Sequence, residues 1–182
     1  VVSETVNIFD SNTKLKDFWF EKLSDDFTKT HLNFGSSEIF LEQKERDSLE
    51  IEIPEKCQKL IFEKTKGSPF LIYTVLLTGL NVCLSKYTDS KEIVVGSPAR
   101  AKENAALISN ALPIFNKVFS RMTFKELLEN IRTTLIEAYN HQSYDYEDMI
   151  DYLQAENHTE TFPLFDISIL LTNSHTALPN VN

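Results

Sequence analysis

Ser97 and Asn110 are the two side chains that the sequence places best for contact with a substrate. Ser97 follows a β-branched run at 93–95, which a glycine and a proline interrupt, as is typical of a short strand buried on both faces. Asn110 lies in a second apolar stretch at 108–118, and no large apolar residue occurs from 97 to 106. Because α/β proteins place many sites where strands end, this hydroxyl and this amide are candidates for donating hydrogen bonds to a ligand. They could equally satisfy the backbone of an ordinary loop, and the sequence leaves both interpretations open.

His141 is the one histidine of four in a setting that suggests acid–base chemistry, within the run Asn140-His-Gln-Ser-Tyr-Asp-Tyr-Glu147. A helix C-terminus stabilises an imidazolium, so a structural role at the end of a helix explains His141 as well as catalysis does. The carboxylates at 145, 147 and 148 would complement the dipole of the next helix. The sequence has no glycine-rich phosphate loop, no Gly-x-Ser-x-Gly elbow and no paired-histidine metal motif. We therefore predict no catalytic residue and no metal site in this chain.

The composition is that of a soluble globular protein, with 42% hydrophobic and 25% charged residues among 182. The formal net charge of −9 argues against nucleic acid as a partner, because phosphate binding needs clustered lysine and arginine. Cys57 and Cys83 both lie in apolar segments with helical periodicity, so we expect buried thiols rather than a disulfide. The longest apolar run, 70–84, is short for a membrane span and contains polar residues. It predicts a buried helix, no membrane contact and a cytoplasmic protein.

Periodicity and capping signals place these residues on an α/β framework with a single domain over 1–182. The predicted elements, in chain order, are a helix at 14–23, strands near 40–41 and at 49–53, helices at 54–66 and 69–86, strands at 93–95 and within 108–118, helices at 123–141 and 145–153, and a strand at 165–171. Inward-facing side chains are expected to include Cys57, Leu60, Ile61 and Phe124. Ser68 is expected to cap one helix, and the run Thr123-Phe-Lys-Glu126 to form a capping box on another. Together they predict a mixed sheet flanked by helices.

Five short motifs, spread from about Trp19 to Asn173, follow one another in an order shared with a known family. They read Asp17-Phe-Trp-Phe-Glu-Lys-Leu23, Tyr87-Thr-Asp-Ser-Lys-Glu-Ile-Val-Val-Gly-Ser-Pro98, Asn110-Ala-Leu-Pro-Ile114, His141-Gln-Ser-Tyr-Asp-Tyr-Glu147 and Phe162-Pro-Leu-Phe165. In that order they are similar to YWxxxL, Y-(S/T)-x-x-x-D-I-V-V-G-T-P, VNTLPL, HQDxPFE and the PLF strand. These are motifs of the C-terminal half of the condensation domains of non-ribosomal peptide synthetases. Several motifs in the right order make the resemblance specific.

The resemblance implies both a fold and a reaction. Condensation domains have two lobes with a fold resembling chloramphenicol acetyltransferase, a CoA-dependent acyltransferase, and an active-site tunnel between the lobes. Carrier proteins deliver two substrates on phosphopantetheine arms, and the acceptor amine attacks the donor thioester to form an amide, a step of antibiotic biosynthesis. By this resemblance Ser97, Asn110 and Leu112 lie near the tunnel, and no cofactor is bound directly. The implied partners are the N-terminal lobe, peptidyl carrier protein domains and an adjacent adenylation domain.

The family's catalytic histidine lies in an HHxxxDG motif of the first lobe, whereas no two histidines are adjacent in this chain. We therefore expect this chain to be the C-terminal lobe and to be inactive alone.

Three departures from the family pattern motivate other hypotheses. The loop from Gly96 to Asn110 is about six residues shorter than is usual in the family. The residues at 106–108 replace a G-x-F motif, and Asn157 and His158 stand where arginine and aspartate are expected. A second hypothesis is therefore a non-catalytic lobe that docks carrier proteins or tailoring enzymes. A third is a relative that transfers fatty acyl groups from acyl-coenzyme A, which predicts a wide apolar channel.

Overall fold

Helices and strands alternate in the part of the chain that the structure, a computed structural model, describes. This part comprises residues 13–23, 30, 32, 47–99, 111–145, 147–151 and 164–172. Its elements, in chain order, are α1 (13–23), α2 (Glu55–Thr65), α3 (Pro69–Thr88), β1 (Glu92–Pro98), β2 (Ala111–Lys117), α4 (Phe124–Asn140) and α5 (147–151). The predicted strand near 40–41 lies outside the described residues.

Strand β1 is paired on both of its sides. On one side it runs antiparallel to β2, with Gly96 opposite Pro113. On the other side the Gly96 N–H donates to the Ile167 carbonyl at 2.8 Å, and the Ile169 N–H donates to the Gly96 carbonyl at 3.0 Å. These two bonds form a parallel bridge between Gly96 and Ser168. The predicted strand at 165–171 is thus present as one bridge rather than as a continuous strand among the described residues.

Pro113 fits within β2 because of its place in the register. Both backbone groups of Gly96 are directed away from β2, so Gly96 and Pro113 form a pair without hydrogen bonds between them. Residues two apart in a strand direct their backbone groups to the same side. In agreement with this, the Val94 N–H points away from β2, like the backbone groups of Gly96, and donates to the Thr30 hydroxyl at 2.7 Å. The nitrogen of Pro113 therefore faces the outer edge of β2, where a missing N–H costs no bond to β1.

The sheet face that carries Ser97 is covered by helices. Residues directly opposite in an antiparallel pair share a face, so Ser97 and Leu112 point the same way, as do Val95 and Ile114. Helix α3 packs against β1, and α4 packs against β2 and α3. The buried cluster between these layers includes Trp19, Leu23, Tyr73, Leu77, Ile93, Val95, Leu112, Ile114, Leu127, Ile131, Leu135 and Met149.

Helix α3 is longer than its apolar run suggests. It has 20 residues, and an 18-residue stretch of it has a mean hydropathy of 1.4, so among the described helices it alone meets the length and composition of a membrane span. The helix predicted at 69–86 is confirmed and extends two residues further, to Thr88, before Asp89 adopts a left-handed conformation. Its buried side chains include the polar residues Thr78 and Asn81 and lie on a face that packs against β1 and α4.

Most apolar residues before and within α2 are exposed, contrary to prediction, and Ile61 is half-buried. Residues 49–53 form no strand among the described residues, and α2 buries only Thr65. Cys57 and Leu60 are exposed because α2 packs mainly against α3, so its apolar stripe has no other described element to cover it. Cys83 is also an exposed free thiol. It lies six residues beyond buried Leu77 and about 240° around the axis of α3, on the solvent side.

The capping predictions had mixed outcomes. The capping box at Thr123 and Glu126 is confirmed, with the Glu126 N–H donating to the Thr123 hydroxyl and the Thr123 N–H donating to the Glu126 carboxylate. Ser68 precedes α3 as predicted, but its side chain makes no capping hydrogen bond. Phe124 is 51% exposed, because the first residue of α4 lies beyond the end of the buried stripe that begins at Leu127.

Gly96→Ala should destabilise the fold, because an added Cβ would overlap the ring of Phe165. Overpacking of this kind costs about 1–3 kcal/mol. Gly79→Ala is the matched control, since nothing lies within 4 Å of its added Cβ and alanine in a helix is about 0.5–1 kcal/mol more favourable than glycine. In urea unfolding we expect a lower midpoint for the first variant and an unchanged or higher one for the second. Equal midpoints for Gly96→Ala and the parent would mean that Phe165 does not pack on β1.

Candidate functional site

The residues predicted to lie near a substrate are partly brought together by the strand pair. Ser97 and Leu112 are directly opposite each other near the ends of β1 and β2. Both side chains are fully buried. Asn110 lies outside the described residues, so its place beside them stays a prediction.

Three hydroxyl groups meet at Ser97. The Tyr73 hydroxyl, from α3, donates to Ser97 Oγ at 2.7 Å, and the Tyr139 hydroxyl, from α4, lies 3.3 Å from the same oxygen. Tyr73 Oη also lies 3.2 Å from the Ile169 carbonyl, and Ser97 Oγ lies 3.3 Å from the carbonyl of Pro98. All three side chains are buried. One hydroxyl oxygen thus joins β1, α3 and α4, and through Tyr73 it also joins the segment 164–172.

The hydroxyl cluster holds β1 in place and is not arranged for nucleophilic attack. A serine nucleophile needs an adjacent base, whereas Ser97 Oγ contacts two phenols and a backbone carbonyl. Burial raises the pKa of Tyr73 well above its usual range, opposed by the hydrogen bond to Ser97, and Tyr139 adds to the rise. The phenol of Tyr73 is therefore neutral at physiological pH and acts as a donor. The cluster fixes the end of β1 against two helices.

Leu112 makes the corresponding apolar contact from β2. Its side chain belongs to the core cluster on the helix-covered face of the sheet. Ser97 and Leu112 therefore both anchor the strand ends from the helix side.

His141 has a structural role at the end of α4. Its ring nitrogen Nδ1 lies 2.8 Å from the Glu137 carbonyl, which can only accept, so Nδ1 carries the proton in this bond. The ring stacks on Phe18 with centroids 3.8 Å apart and planes 8° apart. The His141 carbonyl accepts from the indole N–H of Trp19 at 3.0 Å. The helix-terminal interpretation agrees with this geometry, and these contacts tie α1 to α4.

Tyr73 and Tyr139 are the site residues that sequence reasoning missed. They lie 24 and 42 residues from Ser97 along the chain, so no local motif connects the three. The sequence did carry one usable signal: α3 is apolar but contains residues with hydroxyl groups, Tyr73 among them. A buried hydroxyl needs a hydrogen-bond partner, so a contact elsewhere in the fold could be expected.

A concave feature lies at the opposite end of β1 from Ser97. It is a cavity of about 660 Å³ between the end of α3 and the start of α4. Its lining includes Lys86, Asp89, Lys91, Phe119 and Phe124. Within the described ranges, no group of three histidine, cysteine or acidic residues is arranged to hold a metal ion.

Comparison with protein families and curated proteins gives a consistent result. A family model described as the condensation domain matches residues 6–180. The chain is 32% identical over 110 residues to tyrocidine synthase 3 of Brevibacillus parabrevis, covering 57% of this chain and 2% of that protein. It is 25% identical over 170 residues to bacitracin synthase 3 of Bacillus licheniformis, covering 90% of this chain and 3% of that protein. The chain therefore spans a few per cent of the length of these curated relatives.

Comparison with solved structures confirms the predicted fold. The starter condensation domain of the rhizomide synthetase RzmA, in a mutant form, aligns with a TM-score of 0.54 and 14% identity. The alignment covers 86% of this chain and 33% of that chain. At this identity the similarity is one of fold. The mixed α/β arrangement, resembling part of a chloramphenicol acetyltransferase-like fold, is as predicted from the sequence.

Tyr73→Phe should lower the free energy of unfolding at pH 7 by about 1–3 kcal/mol, because buried acceptors lose their donor. It should also change the alkaline limb of the stability profile. Above about pH 10 an unfolded tyrosine ionises while the buried Tyr73 stays protonated, so stability falls with pH by about 1.4 kcal/mol per unit. The variant lacks this contribution. The measurement is the urea midpoint from pH 8 to 11.

The matched variant for that experiment is Tyr144→Phe. Burial raises the pKa of Tyr144 as well, and the carboxylates of Asp148 and Asp145 add to the rise. Each variant should therefore make the free energy of unfolding fall less steeply with pH in the alkaline range. An unchanged slope in Tyr73→Phe would contradict the burial of a neutral phenol at Ser97.

His141→Ala should destabilise the fold by about 1–2 kcal/mol, since it removes both the Nδ1 hydrogen bond and the stack on Phe18. Phe18→Leu removes the stack but keeps the hydrogen bond, so a smaller loss is expected. Emission of Trp19, the single tryptophan, reports unfolding because this side chain is 1% exposed. A parent-like midpoint for His141→Ala would refute the structural role.

Proposed function

Because this chain belongs to the condensation domain family, we propose that it is the C-terminal lobe of a non-ribosomal peptide synthetase condensation domain, folded as one domain over 1–182. The observation that carries the proposal is the family match over residues 6–180. It is supported by the five motifs in family order between about Trp19 and Asn173. The relatives include tyrocidine synthase 3 and bacitracin synthase 3.

The proposed reaction of the complete domain is acyl transfer from a thioester to an amine. The acceptor nitrogen attacks the donor carbonyl, a C–N bond forms and the C–S bond breaks. The proton lost by nitrogen ends on the released thiol of the donor's phosphopantetheine arm. This chain has no adjacent histidines, so the base of an HHxxxDG motif would come from the N-terminal lobe.

The role proposed for this lobe is to form one wall of the tunnel between the lobes. In that arrangement the ends of β1 and β2 face the substrates, and Asn110 reaches them directly. In this proposal Ser97 and Leu112 hold the wall from its helix side, and their burial against α3 and the core supports it. Precise placement matters, because a displacement of about 1 Å in a catalytic site can cost roughly 100-fold in rate.

The proposed partners follow from this role. They are the N-terminal lobe, peptidyl carrier protein domains that bring phosphopantetheine arms, and an adjacent adenylation domain. The lobe itself would bind no cofactor. A net charge of −9 suits neither nucleic acid nor an anionic membrane surface, which supports a cytoplasmic protein with protein partners.

A second candidate function is a docking lobe without catalysis. It is favoured by the loop between Gly96 and Asn110, which is about six residues shorter than usual in the family. In such a lobe the anchored strand ends would hold a binding surface for carrier proteins or tailoring enzymes. Both candidates predict carrier binding, and only the first predicts acyl transfer.

The deciding experiment uses the full-length protein that contains this chain, with a donor carrier and an acceptor carrier loaded with aminoacyl phosphopantetheine. Intact-mass spectrometry of the acceptor carrier should detect a gain equal to the donor acyl group. If both carriers bind but the acceptor mass stays constant, the docking function replaces the catalytic one. If neither carrier binds, both candidates fail.

Asn110→Ala should slow formation of the amide about tenfold or more, equivalent to about 1.4 kcal/mol, if its amide contacts substrate in the tunnel. Asn130→Ala is the matched control, because it makes the same change at an exposed position on α4. Both variants should keep the parent's urea midpoint. Equal rates for the two variants would remove Asn110 from the site while leaving the proposed reaction intact.

A further inference from the structure

Two side-chain amides in the helix-covered core each have one polar atom without a hydrogen-bond partner. They belong to Asn81 of α3, which is 0% exposed, and to Asn116 of β2, which is 7% exposed. Among the described residues, Asn81 Oδ1 accepts no hydrogen bond and Asn116 Nδ2 donates none. Buried polar atoms are rarely left in this state in folded proteins, so these two require an explanation.

The orientation of the Asn81 amide is fixed by its other hydrogen bond. Asn81 Nδ2 donates to the Leu77 carbonyl at 2.8 Å, and a carbonyl can only accept, so the amide cannot be turned round. An acceptor is therefore open on Asn81, and a donor is open on Asn116. The two requirements are complementary.

The side chains between α3 and β2 can be ordered by depth, because contacts fix both ends of the series. At one end Tyr73 of α3 bonds to Ser97, which lies opposite Leu112 of β2. At the other end Ser85 of α3 and Val118, just after β2, line the same cavity. Between these two levels the helix advances about 18 Å and the strand about 20 Å. Four residues of α3 therefore keep pace with two residues of β2.

Asn81 and Asn116 occupy the same level of this series. Asn81 lies four residues before Ser85, about 6 Å deeper along the helix. Asn116 lies two residues before Val118, about 7 Å deeper along the strand and on the same face. That face is the one covered by the helices, because Asn116 is opposite Ile93 in the register. The open acceptor and the open donor thus belong to one layer of the core.

The rest of the domain cannot supply the two partners. This chain covers 33% of the solved domain with which it aligns, but both atoms are already enclosed within this chain. A side chain from another lobe or protein could reach them only if the core opened. The partner of each atom is therefore the other amide or a molecule small enough to lie inside the core.

A water molecule fits this layer better than a direct contact does. The two amides form no hydrogen bond with each other, and α3 packs mainly on β1 and α4 rather than on β2. Water can accept from Asn116 Nδ2 and donate to Asn81 Oδ1 at the same time, and buried waters typically have two to four polar partners. The cavity of about 660 Å³ begins one level outward, at Ser85 and Val118, so a water has one layer of side chains to cross.

We propose that one buried water molecule bridges Asn116 Nδ2 and Asn81 Oδ1 and so joins β2 to α3. A hydrogen bond through water is nearly as favourable in enthalpy as a direct one. A slide of α3 by one turn would move Asn81 beside Ile114 or Val118, whose side chains offer no hydrogen bond. The bridge therefore holds α3 at one level against the sheet. It is separate from the hydroxyl cluster at Ser97 and does not depend on the proposed amide-forming function.

The direct test is a crystal structure of the protein at a resolution that defines ordered waters. We expect one water within about 3 Å of both Asn81 Oδ1 and Asn116 Nδ2. A direct hydrogen bond between the two amides would overturn the proposal, because no water would then be needed. A layer with neither a water nor a direct bond would overturn it as well.

A double-mutant cycle tests the same coupling in solution. Asn81→Leu and Asn116→Leu each remove one partner at similar side-chain volume and leave the other amide unsatisfied, so each should raise the unfolding equilibrium constant about tenfold or more. The double variant removes both amides together. Its loss should therefore be at least fivefold smaller than the product of the two single losses, since residues that share a partner are not additive.

Urea unfolding followed by the fluorescence of Trp19 gives the three equilibrium constants. Asn130→Leu is the matched control, because it makes the same change at an exposed position on α4 and should leave the midpoint close to that of the parent. Single losses that simply multiply in the double variant would mean that the two amides share no partner. That result would overturn the proposal.

Discussion

The described fold depends on a single buried hydroxyl junction at the end of its central strand. Ser97 Oγ is reached by Tyr73 from α3 and by Tyr139 from α4, and Tyr73 also contacts the carbonyl of Ile169. Buried polar atoms of this kind must be satisfied together, because leaving one without a partner costs about 1–3 kcal/mol. The junction therefore fixes where β1 ends relative to both helices, which apolar packing alone would leave free to slide. Gly96, one residue earlier, permits the opposite face of β1 to lie directly against Phe165.

Much of the local structure could be predicted because its causes are local. The capping box at Thr123 and Glu126 is a contact across three residues, and the β-branched run at 93–95 needs only its own side chains to favour a strand. Trp19 and the helix around it follow from helical spacing. The condensation-domain motifs added the fold class, which periodicity by itself does not specify.

The rest could not be predicted because its causes are remote. Alternation at 49–53 determines which side chains share a side, but a strand also needs a neighbour, and the sequence does not say which one. Cys57 has the helical spacing of a buried residue, yet its exposure depends on where α2 lies against α3. Tyr73 and Tyr139 meet at Ser97 only through the tertiary fold. The tunnel contacts expected of Asn110 depend on residues beyond those the structure describes.

Pro113 has a consequence for the protein's behaviour during synthesis and storage. Because its nitrogen faces the outer side of β2, a foreign chain laid along that side would find a gap in the middle of its ladder. Such interruptions discourage the templated stacking of strands that leads to fibrils. Pro113 thus removes one hydrogen-bond donor from the side of β2 that faces away from β1, which disfavours the addition of a further strand there at no cost to the pairing with β1.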